Sequence, residues 1–113
     1  MNINIIKIGT NILTTKTGSL DLNNLKSLTD QICELIKNTS NKFIIVTSGA
    51  ITCGSTKMKI KANSIPEKQA AASVGQFMLM NEYANFFNQN SLIVGQILLT
   101  KNCIIDQTQT TNA

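Results

Sequence analysis

Apolar positions along the chain fall into two kinds of run. Three runs are short, continuous and rich in β-branched residues: INIIKI over residues 3–8, stopped by Gly9; Phe43 to Val46, stopped by Ser48-Gly49; and Leu92 to Leu99, with Gly95 inside it. Each reads as a strand buried on both faces, and Gly95 marks a bulge or a close backbone approach. The second kind repeats at spacings of three and four. From Asp21, in the N-cap position, Leu22, Leu25, Leu28, Ile32, Leu35 and Ile36 form one apolar helical face, with Lys37 in the last turn and polar Asn38 to Asn41 ending the helix.

A short helix is expected from Ala50, and the polar, lysine-bearing stretch from Ser55 to Asn63 reads as a loop. Ser64-Ile65-Pro66-Glu67 then fits a capping box, with the proline in the first turn where its missing N–H does no harm. The helix it opens is expected to run to about Asn88. It is apolar on two stripes, Ala70, Val74, Phe77 and Met78 on one, and Ala71, Ala72, Gly75 and Leu79 on the other. Burial between a sheet and a neighbouring helix explains that pattern. A helix shared with a partner subunit explains it equally, since small residues allow close approach.

Fully apolar strands separated by helices predict an α/β fold with a parallel sheet covered on both faces. The 113 residues suffice for one domain, and residues 107–113 form a polar tail on which no structure is forced. With three strands and nothing after the last to cover it, the chain resembles half of a doubly wound domain. Such a sheet exposes an apolar edge and face, which predicts poor solubility or self-association.

Composition narrows the function. Hydrophobic residues make up 42% and charged residues 14% of the chain, which excludes a charge-driven disordered segment. No window reaches the roughly 20 apolar residues of a membrane span, and the N-terminus lacks a signal pattern, so a soluble, cytoplasmic protein is expected, without a membrane partner. The net charge of +4 comes from ten lysines, with no arginine and no histidine. Base readout in nucleic acids leans on arginine's bidentate fork, so a nucleic-acid partner is not expected. The absence of histidine removes the usual general base and most zinc sites. Cys33, Cys53 and Cys103 lack metal-ligand spacing and read as small apolar fillers, and Glu67, Glu82 and Asp106 form no close pair for acid–base work. No metal-ligating residue is assigned.

Chemistry must therefore run on lysine, hydroxyls and backbone amides. Ligands in open α/β sheets gather beyond the carboxyl ends of the strands. Two such turns stand out. Lys7-Ile8-Gly9-Thr10 combines a cation, a glycine that lets a ligand approach the backbone, and a hydroxyl. Thr47 to Gly54 offers hydroxyls and amides at a helix start, an arrangement that binds carboxylate or phosphate. It has neither GxxxxGK[ST] nor GxGxxG spacing. Taken alone, a solvated lysine and an ordinary strand-to-helix turn explain both stretches. Lys57, Lys59 and Lys61 read as a solvated segment.

The order KIGTNILT, IIVTSGAITCG, PEKQAAASVGQFMLM and VGQILLT, over Ile5 to Asp106, resembles the N-terminal portion of the amino acid kinase family, in particular its glutamate-phosphorylating members. The resemblance implies a three-layer αβα sandwich, incomplete here at the C-terminus, that moves the γ-phosphoryl group of ATP, with Mg2+, to the side-chain carboxylate of L-glutamate, opening proline biosynthesis. It implies that Lys7 is catalytic and contacts the ATP phosphates, that Gly9 and Thr10 shape the phosphate loop, and that Ser48, Gly49 and Ala50 hold glutamate. It also implies a homo-oligomer through the 65–88 helix. Family members extend further and there supply an aspartate and an asparagine for glutamate, a base pocket and a second lysine. Here residues 106–113 keep the Asp106 and Asn112-Ala113 of the family pattern without the charges between. A non-catalytic remnant or dimerisation module, and a family member acting on aspartate or acetylglutamate, are the alternatives.

Overall fold

The computed structural model describes residues 2–97 of the chain. The elements run β1 (Ile3–Ile8), α1 (Thr10–Leu13), α2 (Leu22–Asn38), β2 (Lys42–Thr47), α3 (Ala50–Met58) and α4 (Ile65–Gln89). The strands pair in parallel, from Ile3 opposite Lys42 to Ile8 opposite Thr47, so both carboxyl ends lie at one edge of the sheet.

Pleating splits the sheet into two unlike faces. Ile6, Ile8, Phe43 and Ile45 pack into a core built with Leu13, Leu25, Ile32 and Cys33 on one side and Leu79, Tyr83, Phe86 and Phe87 of α4 on the other. The alternate residues Ile3, Ile5, Ile44 and Val46 are about half exposed or more. The expectation of a sheet covered on both faces is thus corrected: among the described residues one face is covered. A run apolar at every position reports what a strand tolerates on each side, not which neighbour supplies the cover.

The third expected strand is also corrected over the part that is described. Residues 92–97 join no ladder, the sheet has two strands, and Ile93 is 95% exposed. The exit from α4 explains the path. Ser91 takes a left-handed φ of 62°, the Ser91 N–H donates to the Asn88 carbonyl, and the Leu92 N–H donates to the Phe87 carbonyl. This closes a Schellman-type cap and tucks Leu92 against the core. β propensity supplies no pairing partner by itself. Leu98, Leu99, Cys103, Asp106 and the 107–113 tail lie outside the described residues.

α2 starts where expected, with the Asp21 carboxylate accepting from the Asn24 N–H at 3.1 Å. Its buried line is Leu25, Thr29, Ile32 and Cys33, rotated away from Leu22 and Leu35, which are about half exposed. Thr29 is tolerated there because its hydroxyl donates back to the Lys26 carbonyl. The sequence pattern predicts no helix over Thr10–Leu13, where α1 forms. α3 continues through Ser55–Met58, where a loop was expected, and ends on Lys59 in the left-handed region at φ 59°. Ser55 and Thr56 are half-buried in it, Thr56 against the Gly18 turn, and Lys57 and Met58 are exposed. Gly54 is a contact point.

That contact governs how α3 meets α4. A Cβ on Gly54 would lie 1.8 Å from the Ala71 carbonyl oxygen, and a Cβ on Gly75 would lie 1.7 Å from that of Ala50. The two helices therefore cross backbone against backbone, with Cys53 and Ala71 buried beside the crossing.

The capping box of α4 forms as the sequence predicts: Ser64 Oγ accepts from the Glu67 N–H at 3.2 Å, and Glu67 Oε1 accepts from the Ser64 N–H at 2.9 Å. The Ser64 hydroxyl, then its N–H, hold the Glu67 carboxyl below its ordinary 4.5. A lowered folded pKa means that the cap's contribution is complete above the unfolded value and is lost as pH falls through the folded one. Thermal melts between about pH 5 and about pH 3 should therefore show a steeper fall for the native chain than for Glu67→Gln, which keeps an acceptor but does not titrate. Parallel curves would detach the cap from the acid response.

Candidate functional site

Parallel pairing brings the two strand-end turns together. The Ser48 N–H donates to the Ile8 carbonyl at 3.1 Å, extending the ladder one residue past β2. Two residues past Ile8, Thr10 Oγ1 lies 3.1 Å from Ser48 Oγ and shares a hydrogen bond with it. Ser48 Oγ also reaches the Ile8 carbonyl at 3.4 Å.

Gly49 follows at φ 99°, a left-handed conformation that any side chain would strain, and its α-carbon side packs near Thr10 and Leu13. It is the N-cap of α3 and brings no side-chain cap, so the first amides of the helix from Ala50 onward keep their positive end toward the turn. Gly9, the N-cap of α1, has extended dihedrals and open space where a Cβ would stand. A ligand can approach the backbone there.

Of the six residues singled out from the sequence, Thr10, Ser48 and Gly49 are therefore in one cluster, with Gly9 and Ala50 directly beside them in the chain. Lys7 stands apart in orientation. It pairs with Val46, lies on the exposed sheet face with Ile5, and among the described residues makes no ion pair. The ion pair that does form there, Lys26 with Asp30 at 2.6 Å, lies on the solvent side of α2 and contributes little. Among the described residues no group of three or more His, Cys, Asp or Glu is placed to hold a metal ion. Asp21, the carboxylate nearest in sequence to the Thr10 turn, is engaged as the cap of α2.

Two further residues belong to this end of the sheet. Tyr83 of α4 is 2% exposed, and its hydroxyl donates to Thr47 Oγ1 at 2.9 Å; Thr47 Oγ1 in turn donates to the Ser48 carbonyl at 3.3 Å. Burial raises the Tyr83 phenol above its ordinary value, so it remains a donor at neutral pH. Tyr83 continues the line Ala71, Gly75, Leu79 at steps of four, which places it on the buried face. A buried tyrosine needs a hydroxyl partner, and that signal was legible. The identity of the partner was not.

Cys53, one turn into α3, is buried, and desolvation pushes its thiol up, away from nucleophilic use. What the two turns offer is hydroxyls, amides and a helix N-terminus facing one edge, with a lysine on the adjoining strand. This suits binding of an anion and neutralisation of charge. It does not suit activation of a serine, for which no base is at hand.

The profile described as Amino acid kinase family matches residues 2–113. The chain is 40% identical over 111 residues to a protein of Moorella thermoacetica named Glutamate 5-kinase, covering 96% of this chain and 29% of that one. A protein of the same name from Clostridium tetani is 41% identical over 111 residues, covering 96% of this chain and 41% of the relative. Another from Clostridium acetobutylicum is 43% identical over 104 residues, covering 88% and 39%. The chain thus spans less than half the length of each of these relatives.

Proposed function

The chain belongs to the amino acid kinase family, and from that premise we propose that residues 1–113 are the N-terminal part of a single glutamate 5-kinase domain, which transfers the γ-phosphoryl group of ATP to the side-chain carboxylate of L-glutamate. The observation that carries the reading is the junction of the two turns, Thr10 Oγ1 to Ser48 Oγ at 3.1 Å, at the carboxyl edge of a parallel pair. Identity of about 40% to proteins named Glutamate 5-kinase supports it. The finer architecture, a three-layer αβα sandwich, fits the sheet face carrying Ile3, Ile5, Ile44 and Val46, which a second helical layer would cover.

The division of labour follows from charge. The acceptor carboxylate is ionised at neutral pH, so no general base is required, and the work is positioning and charge neutralisation. Ser48, Gly49 and the Ala50 amide hold the glutamate. Gly9 and Thr10 receive the phosphates, and Lys7 carries the cation that stabilises charge on the transferred group. Mg2+ enters with the nucleotide in this reading. The turns bring no carboxylate that would ligate it. ATP and L-glutamate are cytoplasmic solutes, so the same reading sets the chain in the cytoplasm. A second copy would pack on the outward face of α4, where Phe77 is 73% exposed.

The test is γ-glutamyl hydroxamate formation, with ATP, L-glutamate and hydroxylamine, by residues 1–113 joined to the remainder of a longer relative such as that of Clostridium tetani. Product dependent on both substrates, and not formed from L-aspartate or N-acetylglutamate, is the expected result. No product, with thermal stabilisation by L-glutamate alone, would make the chain a binding module. Neither product nor stabilisation overturns the reading.

A further inference from the structure

We propose that Tyr83 is a positioning residue for the Ser48–Ala50 turn, acting through the Thr47 hydroxyl. The inference rests on the reading of that turn as the glutamate cradle.

The relay has a single direction. Each hydroxyl has one proton to give: that of Tyr83 goes to Thr47 Oγ1 at 2.9 Å, and that of Thr47 goes to the Ser48 carbonyl at 3.3 Å. The ring at the head of the relay is held on all sides. Tyr83 is buried, stacks on Phe87 with centroids 6.5 Å apart and planes 13° from parallel, and belongs to the central core cluster. The helix that carries it is pinned a second time, where Gly75 meets the Ala50 carbonyl. Gly75 and Tyr83 are eight residues apart, about 12 Å along a helix axis. Helix α4 therefore grips both ends of the Thr47–Ala50 segment, one by backbone contact and the other by a hydrogen bond.

Between those grips lie the parts that a carboxylate ligand would meet: the Ser48 hydroxyl, the left-handed Gly49 and the first amides of α3. Ser48 itself is exposed. Its orientation cannot come from packing of its own side chain. It comes from the Ile8 carbonyl and the Thr10 hydroxyl on one side and the Thr47 relay on the other. Binding geometry tolerates errors of only about 0.5 Å, so losing one restraint should be felt in ligand affinity before it is felt in global stability.

The experiment uses the 113-residue chain, uniformly 15N-labelled, as the native form, Tyr83→Phe, Thr47→Val and the double variant. Two quantities are read: amide hydrogen exchange by residue, and dissociation constants for L-glutamate and for a non-hydrolysable ATP analogue. Tyr83→Phe keeps the ring and its stacking and removes only the donor. It should speed exchange at the Ser48 amide relative to Ile44 and Ile45 within the strand. It should also weaken L-glutamate about three- to tenfold, the worth of one neutral hydrogen bond, while the nucleotide analogue changes by less than about twofold. Thr47→Val should do the same, and the double variant should be no worse than the worse single, because both changes cut one relay. Exchange that rises equally along β1 and β2, unchanged exchange at Ser48, or additive losses in the double variant would each overturn the proposal. If the native chain binds no L-glutamate, the proposed function falls, and the exchange data still decide whether Tyr83 holds Ser48.

Discussion

Lys7→Ala is expected to lower phosphoryl transfer by about a thousandfold, the scale on which a single cation or donor at a transferred phosphoryl group acts. Stability should move by no more than about 0.5 kcal/mol, as for surface positions without special contacts. The two numbers separate because of where the residue sits. Lys7 occupies an exposed position on the open sheet face, forms no ion pair among the described residues, and pairs with Val46 through backbone alone. Turnover is best compared in residues 1–113 joined to the remainder of a longer relative such as that of Clostridium tetani, alongside thermal melts of the same proteins. Equal losses in rate and stability would make Lys7 a structural residue, and an unchanged rate would remove it from the site.

Gly75→Ala is expected to destabilise the chain strongly although it adds a single methyl. The new carbon would fall 1.7 Å from the Ala50 carbonyl oxygen and 2.5 Å from its carbon, both backbone atoms of a packed helix. Overpacking a core typically costs about 1–3 kcal/mol, and a collision with backbone sits at the top of that range or beyond. The better helix propensity of alanine returns only about 1 kcal/mol. A net loss of about 2 kcal/mol or more, or roughly 10 °C in melting temperature for a domain of this size, is the expected reading. Gly54→Ala should behave alike, its Cβ meeting the Ala71 carbonyl at 1.8 Å. Ala70→Gly, at an exposed position of the same helix, is the control for propensity alone. A Gly75→Ala chain that melts with the native one would mean that α3 and α4 are not in backbone contact.

The same crossing shows where reading the chain in one dimension stops. Gly54 and the hydroxyls after it look like the end of a helix, since glycine is a poor helix former and Ser55 and Thr56 are polar. In three dimensions Gly54 has no side chain to keep α4 away, and Ser55 and Thr56 are half-buried residues of a continuing helix, with Thr56 against the Gly18 turn. The Leu92–Leu99 run shows the converse. Its β-branched and apolar residues favour a strand, and over the described part it pairs with neither β1 nor β2.

Much of the rest was written locally. The ends of α2, the Asp21 cap and the Ser64–Glu67 capping box rest on interactions between residues within about four positions of each other, so their chemistry is present in the order of residues. β1 and β2 show as short apolar runs, although their pairing joins residues 39 positions apart. The two strand-end turns are legible for the same reason, as Gly9-Thr10 and Ser48-Gly49 each follow an apolar run. That the turns meet at 3.1 Å, that Lys7 faces the open side of the sheet, that one face is uncovered, and that Tyr83 finds Thr47 are matters of tertiary structure. They join positions 36 to 38 residues apart, or compare two faces of one sheet, and no periodicity along a chain records which distant partner will be opposite.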